Sequence, residues 1–181
     1  LFLMASPCFA GLFEVGISGS YRKTNFDIQT VTEMETGTAS LGYYFWELSA
    51  LELSYTQGDA LQTTANYSAY RVFKAAGVDL MVTLATKDSA FKPYIKLGAS
   101  YVFKDLRVYY SPGLISNNSA HSEGFTPTAG LGFKLMIGPQ FGIKIGVDAS
   151  TSPIQTASSS SNPAAPTTID FAGTGGISYI F

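Results

Sequence analysis

The chain's single histidine, His121, stands in the run Ala120-His121-Ser122-Glu123. Serine, histidine and a carboxylate are the parts of an acyl-transfer site. Such a site needs the imidazole hydrogen-bonded to the nucleophile and oriented by the acid. The spacing speaks against it. On a strand, His121 and Glu123 share one face and Ser122 points away. A plain histidine in a long polar loop is the better reading. Metal chemistry is no better supplied. There is one cysteine, Cys8, and no run of carboxylates with calcium-loop spacing. No G-x-S-x-G, P-loop or dinucleotide fingerprint occurs, and Gly173 to Gly176 follows no strand-to-helix pattern. The sequence points to no catalytic residue, no metal and no cofactor.

A second set of chemically capable residues is spaced differently. Glu14, Glu52, Asp79, Lys96, Lys134, Lys144, Asp148 and Asp170 each lie within an apolar stretch, always at the alternate positions that the apolar residues leave. Eight stretches show this two-residue period: 13–21, 39–45, 51–55, 76–84, 95–103, 127–137, 141–149 and 169–181. In 127–137, for example, Pro127, Ala129, Leu131, Phe133, Leu135 and Ile137 alternate with Thr128, Gly130, Gly132, Lys134 and Met136. A period of two is the mark of a strand with unlike faces. The apolar set of each stretch carries no charge.

Composition narrows the class. Of 181 residues, 46% are hydrophobic and 13% charged, about half the ~25% charge usual in soluble globular proteins. With Lys+Arg 11 against Asp+Glu 13, the net charge of -2 lacks the basic surplus of a nucleic-acid binder. The apolar and aromatic content is too high for a disordered chain. No run of 18 apolar residues encodes a membrane-spanning helix. Leu1 to Ala10 reads as the end of a signal peptide, with an apolar run broken at Ser6-Pro7 and small residues at Cys8 and Ala10 before Gly11. Cleavage there removes the only cysteine, which suits an oxidising compartment. The remainder, 11–181, reads as a single domain.

The connections alternate in length. Those around Trp46-Glu47-Leu48-Ser49, Thr86 to Phe91 and Gly138-Pro139-Gln140 are short, and those between are long and polar. Short turns on one side and long loops on the other describe an outer-membrane barrel. A soluble ligand-binding barrel shares the alternation but turns its apolar face inward. Two features favour lipid on the apolar side. Gly16, Gly42, Gly77, Gly98, Gly130, Gly132, Gly142, Gly146 and Gly176 all fall on the polar face. In the narrow interior of eight strands, small residues make room for long charged ones. Aromatic residues also gather near strand ends. Phe13, Tyr43, Phe45, Phe141 and Tyr179 lie toward the short turns, and Tyr21, Tyr55, Tyr101, Phe103 and Phe171 toward the long loops. These are the two girdles expected at membrane interfaces.

The chain ends in Ile177-Ser178-Tyr179-Ile180-Phe181. This terminus resembles the last strand of outer-membrane barrels, and the eight stretches resemble the small eight-stranded family of OmpX, OmpW and the OmpA barrel. The resemblance spans Gly11 to Phe181. It implies an all-β, antiparallel, up-and-down barrel in the bacterial outer membrane of a Gram-negative cell envelope. It makes Phe181, Tyr179 and Ile177 a signal to the barrel-assembly machinery. It implies lipid and lipopolysaccharide as surroundings and a monomer as the working form. It leaves three functions open. One is a non-catalytic surface barrel that binds, adheres or stabilises the membrane. Another is a narrow porin-like channel or apolar-solute conduit. The third is an enzyme on lipid A, whose deacylase pattern wants Ser where Glu123 stands.

Counting from the short turns, Glu14 and Glu52 lie low on strands one and three. Lys96, Lys134 and Lys144 lie at similar heights on strands five to seven, with Asp79, Asp148 and Asp170 higher. Across a ring of eight these acids and bases face each other. They predict a charged interior that plugs the lumen. Lys134 and Lys144 fall nearly opposite in one hairpin and need an acid between them.

Overall fold

The computed structural model describes the backbone of residues 12–25, 31–46, 48–63, 67–86, 88–110, 119–151, 154–155 and 169–181. The expected end of a signal peptide, residues 1–10, lies outside these residues. Eight long strands form one antiparallel sheet: β1 (Leu12–Asn25), β2 (Val31–Trp46), β3 (Ser49–Thr63), β4 (Tyr67–Thr83), β5 (Phe91–Tyr110), β6 (Ser119–Ile137), β7 (Phe141–Thr151) and β9 (Ile169–Ile180). A two-residue piece, β8 (Ile154–Gln155), pairs with β6 above the end of β7. Each long strand pairs with its neighbour in sequence, and β9 pairs with both β7 and β1, so the sheet closes. Closure removes the unpaired edge that no open sheet can expose to hydrocarbon. Both ends of the barrel domain meet at the seam. Phe181 N–H donates to the Phe13 carbonyl at 3.0 Å, and Phe13 N–H to the Phe181 carbonyl at 3.3 Å.

The apolar face points outward. Leu97, Leu131, Leu80 and Ile145 stand exposed on the wall, Leu131 at 64%. Val82 and Phe133 face the same way but are half-covered by neighbours, Phe133 by the ring of Phe91 at 5.3 Å between centroids. An interior ligand barrel would bury these side chains. Tyr101 makes edge-on contacts with Phe103 and Phe125, both at 4.8 Å, toward the long-hairpin end. Phe13–Tyr43 and Tyr179–Phe181 pair toward the short turns. In one of those turns Gly138 takes φ +86°, a conformation that suits glycine because it has no Cβ.

The strands outrun the alternation. The long connections expected after the first and third strands contract, because β1 reaches Asn25 before β2 starts at Val31, and β3 reaches Thr63 before β4 starts at Tyr67. The cause is solvent. Beyond the hydrocarbon the outward positions face water, so Glu35, Gln57, Asp59 and Lys74 occupy them and the apolar period ends. The ladder continues regardless, since backbone pairing needs no apolar face. His121, expected in a loop, belongs for the same reason to β6, where it is the register partner of Asp105. Its side chain lies outside the described residues.

Candidate functional site: the charged barrel interior

The inward row of each strand is set by the same alternation that turns its leucines to lipid. Glu14 projects from β1 into the lumen and is 1% exposed. On β6 and β7, Lys134 and Lys144 are direct register partners, a pairing that repels unless a carboxylate intervenes. Glu14 intervenes. Lys134 Nζ lies 2.5 Å from Glu14 Oε2, and Lys144 Nζ lies 3.1 Å from Glu14 Oε1. Lys144 also reaches Glu52 Oε2 from the other side, at 3.1 Å. The Tyr44 hydroxyl donates to Glu14 Oε2. Lys134 donates to the Tyr44 hydroxyl at 2.8 Å and stands 5.4 Å from the centre of its ring, within the range of cation–π attraction. Five side chains from five strands thus join across the lumen in one layer.

A second layer follows toward the long hairpins. Lys96 Nζ pairs with Asp148 Oδ1 at 3.0 Å, rather than with either glutamate. Asp79 accepts a hydrogen bond from the Thr128 hydroxyl at 2.6 Å. Both contacts bridge over an intervening strand at a glycine. Lys96, Gly130 and Asp148 are successive register partners across β5, β6 and β7. Asp79, Gly98 and Thr128 are successive partners across β4, β5 and β6. A Cβ on Gly130 would stand 2.3 Å from Asp148 Oδ1 and 2.7 Å from Lys96 Cε, and one on Gly98 2.3 Å from Asp79 Oδ1. The inward glycines are the gaps through which long side chains reach across the barrel.

Of the eight charges read from the sequence, Glu14, Glu52, Lys134 and Lys144 meet in the lower layer. Asp79, Lys96 and Asp148 occupy the upper one. Asp170 pairs with Ser150 through the β7–β9 register, and its side chain lies outside the described residues. The sequence sets Tyr44 across the second turn from Glu52, but its hydroxyl joins Glu14 and Lys134 instead, and Thr128 is a further member. Both carried a usable signal: each is a hydroxyl at an inward position near the charges. Above the upper layer the lumen opens into a cavity of about 330 Å³, bounded below by Glu52, Lys144, Lys96 and Asp148 and above by Thr32, Arg71 and Lys104. Among the described residues no group of three or more His, Cys, Asp and Glu could hold a metal ion.

A closed eight-stranded barrel with an apolar wall, two aromatic girdles and a charged lumen is a transmembrane barrel of the outer-membrane kind. The family model of the outer membrane protein beta-barrel domain matches residues 1–175, and the chain belongs to that family. Its place is the bacterial outer membrane. Among solved structures it is similar to the N-terminal beta-barrel domain of Pseudomonas aeruginosa OprF, with TM-score 0.62 and 14% identity over 94% of this chain and 99% of that one. It is also similar to Ail, the attachment invasion locus protein of Yersinia pestis, with TM-score 0.61 and 12% identity over 94% and 99%. Neisserial surface protein A follows with TM-score 0.54 and 13% identity over 93% and 94%. Identities this low speak for the fold alone. No curated protein matches the sequence.

Proposed function

We propose that the protein is a non-catalytic surface barrel. Its lumen is plugged against ions, and its work is done at the long-hairpin end, by binding or adhesion or by stabilising the membrane around it. The observation that supports this reading is the lower charge layer. Glu14 is almost fully buried between Lys134, Lys144 and Tyr44, which approach it from the opposite wall and from the neighbouring strand. A hydrated ion passing this level would have to separate buried ion pairs, and leaving one partner uncompensated costs about 3–5 kcal/mol. The attachment protein Ail shares the fold, which is compatible with an adhesive role. The protein's immediate partners would be outer-membrane lipid and lipopolysaccharide, with the barrel-assembly machinery reading Phe181, Tyr179 and Ile177.

Planar-bilayer recording tests the plug. The refolded protein should insert without steady conductance steps. A stable open-channel current from the unmodified protein would overturn the plug and favour the porin-like alternative. That alternative has one observation behind it, the cavity of about 330 Å³, which leads from the long-hairpin end as far as the charge layers.

A further inference from the structure

The cavity above the charge layers has its own chemistry. Its floor is made of groups already engaged with one another: Lys144 with Glu52, Lys96 with Asp148, and Asp79 with Thr128. The charges there are committed, and a charged ligand would have to break them apart. The wall is different. Serine and threonine make up the largest share of the lining, and they come from every long strand of the barrel except β4, which presents Phe73, Ala75 and Met81. A hydroxyl both donates and accepts, and it rotates to suit its partner. Some of these hydroxyls pair with each other, as Ser20 with Thr36 at 2.7 Å and Thr38 with Thr56 at 2.8 Å. Ser54 and Ser100 flank the gap at Gly77, where a Cβ would stand 2.9 Å from Ser54 Oγ and 3.3 Å from Ser100 Cβ. Phe73 adds aromatic surface to the same wall, with its ring over Gly58.

Hydroxyls on seven strands, facing an aromatic and apolar wall on β4 and closed below by paired charges, suit one class of molecule. We propose that this vestibule is a binding site for a neutral polyhydroxylated ligand, one or two sugar rings in size, that enters from the long-hairpin end. The volume lies at the low end of the ~300–1,000 Å³ typical of small-molecule sites, so a longer glycan would insert only its terminus. The ligand's hydroxyls would exchange bonds with Ser54, Thr56 and Ser100, and its C–H face would lie against Phe73. The site does not depend on what the outer surface of the hairpins binds.

The test uses the whole refolded barrel in a zwitterionic detergent, because a glycoside detergent would itself offer a sugar headgroup. Saturation-transfer NMR and calorimetry are run with maltose and glucose, and with glucuronate as a charged comparator. Saturable binding of the neutral sugars is expected. Ala75→Leu, which fills the cavity from β4, should weaken it at least tenfold. Thr56→Val, which keeps the volume and removes one hydroxyl, should weaken it severalfold and still reads out if the filled variant fails to fold. Lys74→Gln on the outward face of β4 should leave neutral-sugar affinity within twofold. No binding of either neutral sugar at high millimolar concentration would mean a merely hydrated cavity and overturn the proposal. So would binding that Ala75→Leu and Thr56→Val leave unchanged, or glucuronate binding far more tightly through Arg71.

Discussion

Lys134 and Lys144 face each other directly across the β6–β7 ladder, and both close on the same carboxylate, Glu14. Two cations one ladder step apart are tolerated because an acid from the far wall stands between them. The first prediction follows from removing that acid. Glu14→Gln should lower unfolding stability by about 3–5 kcal/mol, since it leaves buried lysine charge uncompensated. Adding Lys134→Met should recover part of the loss. Urea unfolding in detergent reads both. A double variant as unstable as the sum of its two single changes would deny the coupling.

Tyr44 both donates to Glu14 and accepts from Lys134. Tyr44→Phe deletes that hydroxyl and keeps the ring beside the lysine. The cost should be about 1–3 kcal/mol for the bonds lost to charged partners. Tyr44→Ala should cost more, because the ring contact goes too. Equal midpoints for Tyr44→Phe and the unmodified protein would remove Tyr44 from the network.

The inward glycines should differ in tolerance according to what faces them. A Cβ on Gly132 would stand 2.5 Å from the Ile145 carbonyl oxygen and 2.8 Å from Gly146 Cα, which are backbone atoms. A Cβ on Gly130 would meet chiefly the ends of Lys96 and Asp148, which can swing aside. Overpacking typically costs about 1–3 kcal/mol. Gly132→Ala should fall at the upper end and Gly130→Ala at the lower. The same order should appear in the fraction of heat-modifiable, folded barrel on a gel. The reverse order would show that the register of β6 against β7 differs from the one described.

Lipid exposure of β6 is tested with charge. Leu131 stands on the wall between Phe125 toward one end and Ile137 toward the other. Arginine near the bilayer midplane costs about 2–4 kcal/mol and near an interface about 0–1. Leu131→Arg should therefore destabilise the barrel in lipid far more than Gln140→Arg in the exposed turn. Equal midpoints would argue against a lipid-facing strand.

Phe181 closes the seam through its backbone, so deleting it would mix two effects. Phe181→Ala keeps the backbone bonds with Phe13 and removes only the ring. If the ring serves as an assembly signal, outer-membrane yield in cells should fall severalfold. The stability of protein refolded in detergent should shift by less than about 1 kcal/mol, as for an exposed position. Normal yield in cells would withdraw the signalling role.

The eight strands and their lipid-facing sides were legible in the sequence because each segment crosses from hydrocarbon to a packed lumen. That contrast writes itself into a strict period of two, as with Leu131 and Lys134 on opposite faces of β6. The inward placement of Glu14, Glu52, Lys134 and Lys144 was legible by the same alternation. The strand ends were not, because past the interfaces both faces of β2 and β3 meet water and the ladder runs on without a pattern. His121 was misplaced for that reason. Nor could alternation tell which acid meets which base. Lys96 takes Asp148 and leaves Glu52 to Lys144 because the closed register brings Gly130 between the first two. That glycine leaves room for the lysine to bridge a strand. Lys134 reaches Glu14 because the closed ring sets β6 across the lumen from β1, and Tyr44 joins from the neighbouring β2, where Gly42 is the register partner of Glu14. Partner choice across the lumen depends on register and closure, properties of all eight strands together that no single segment carries.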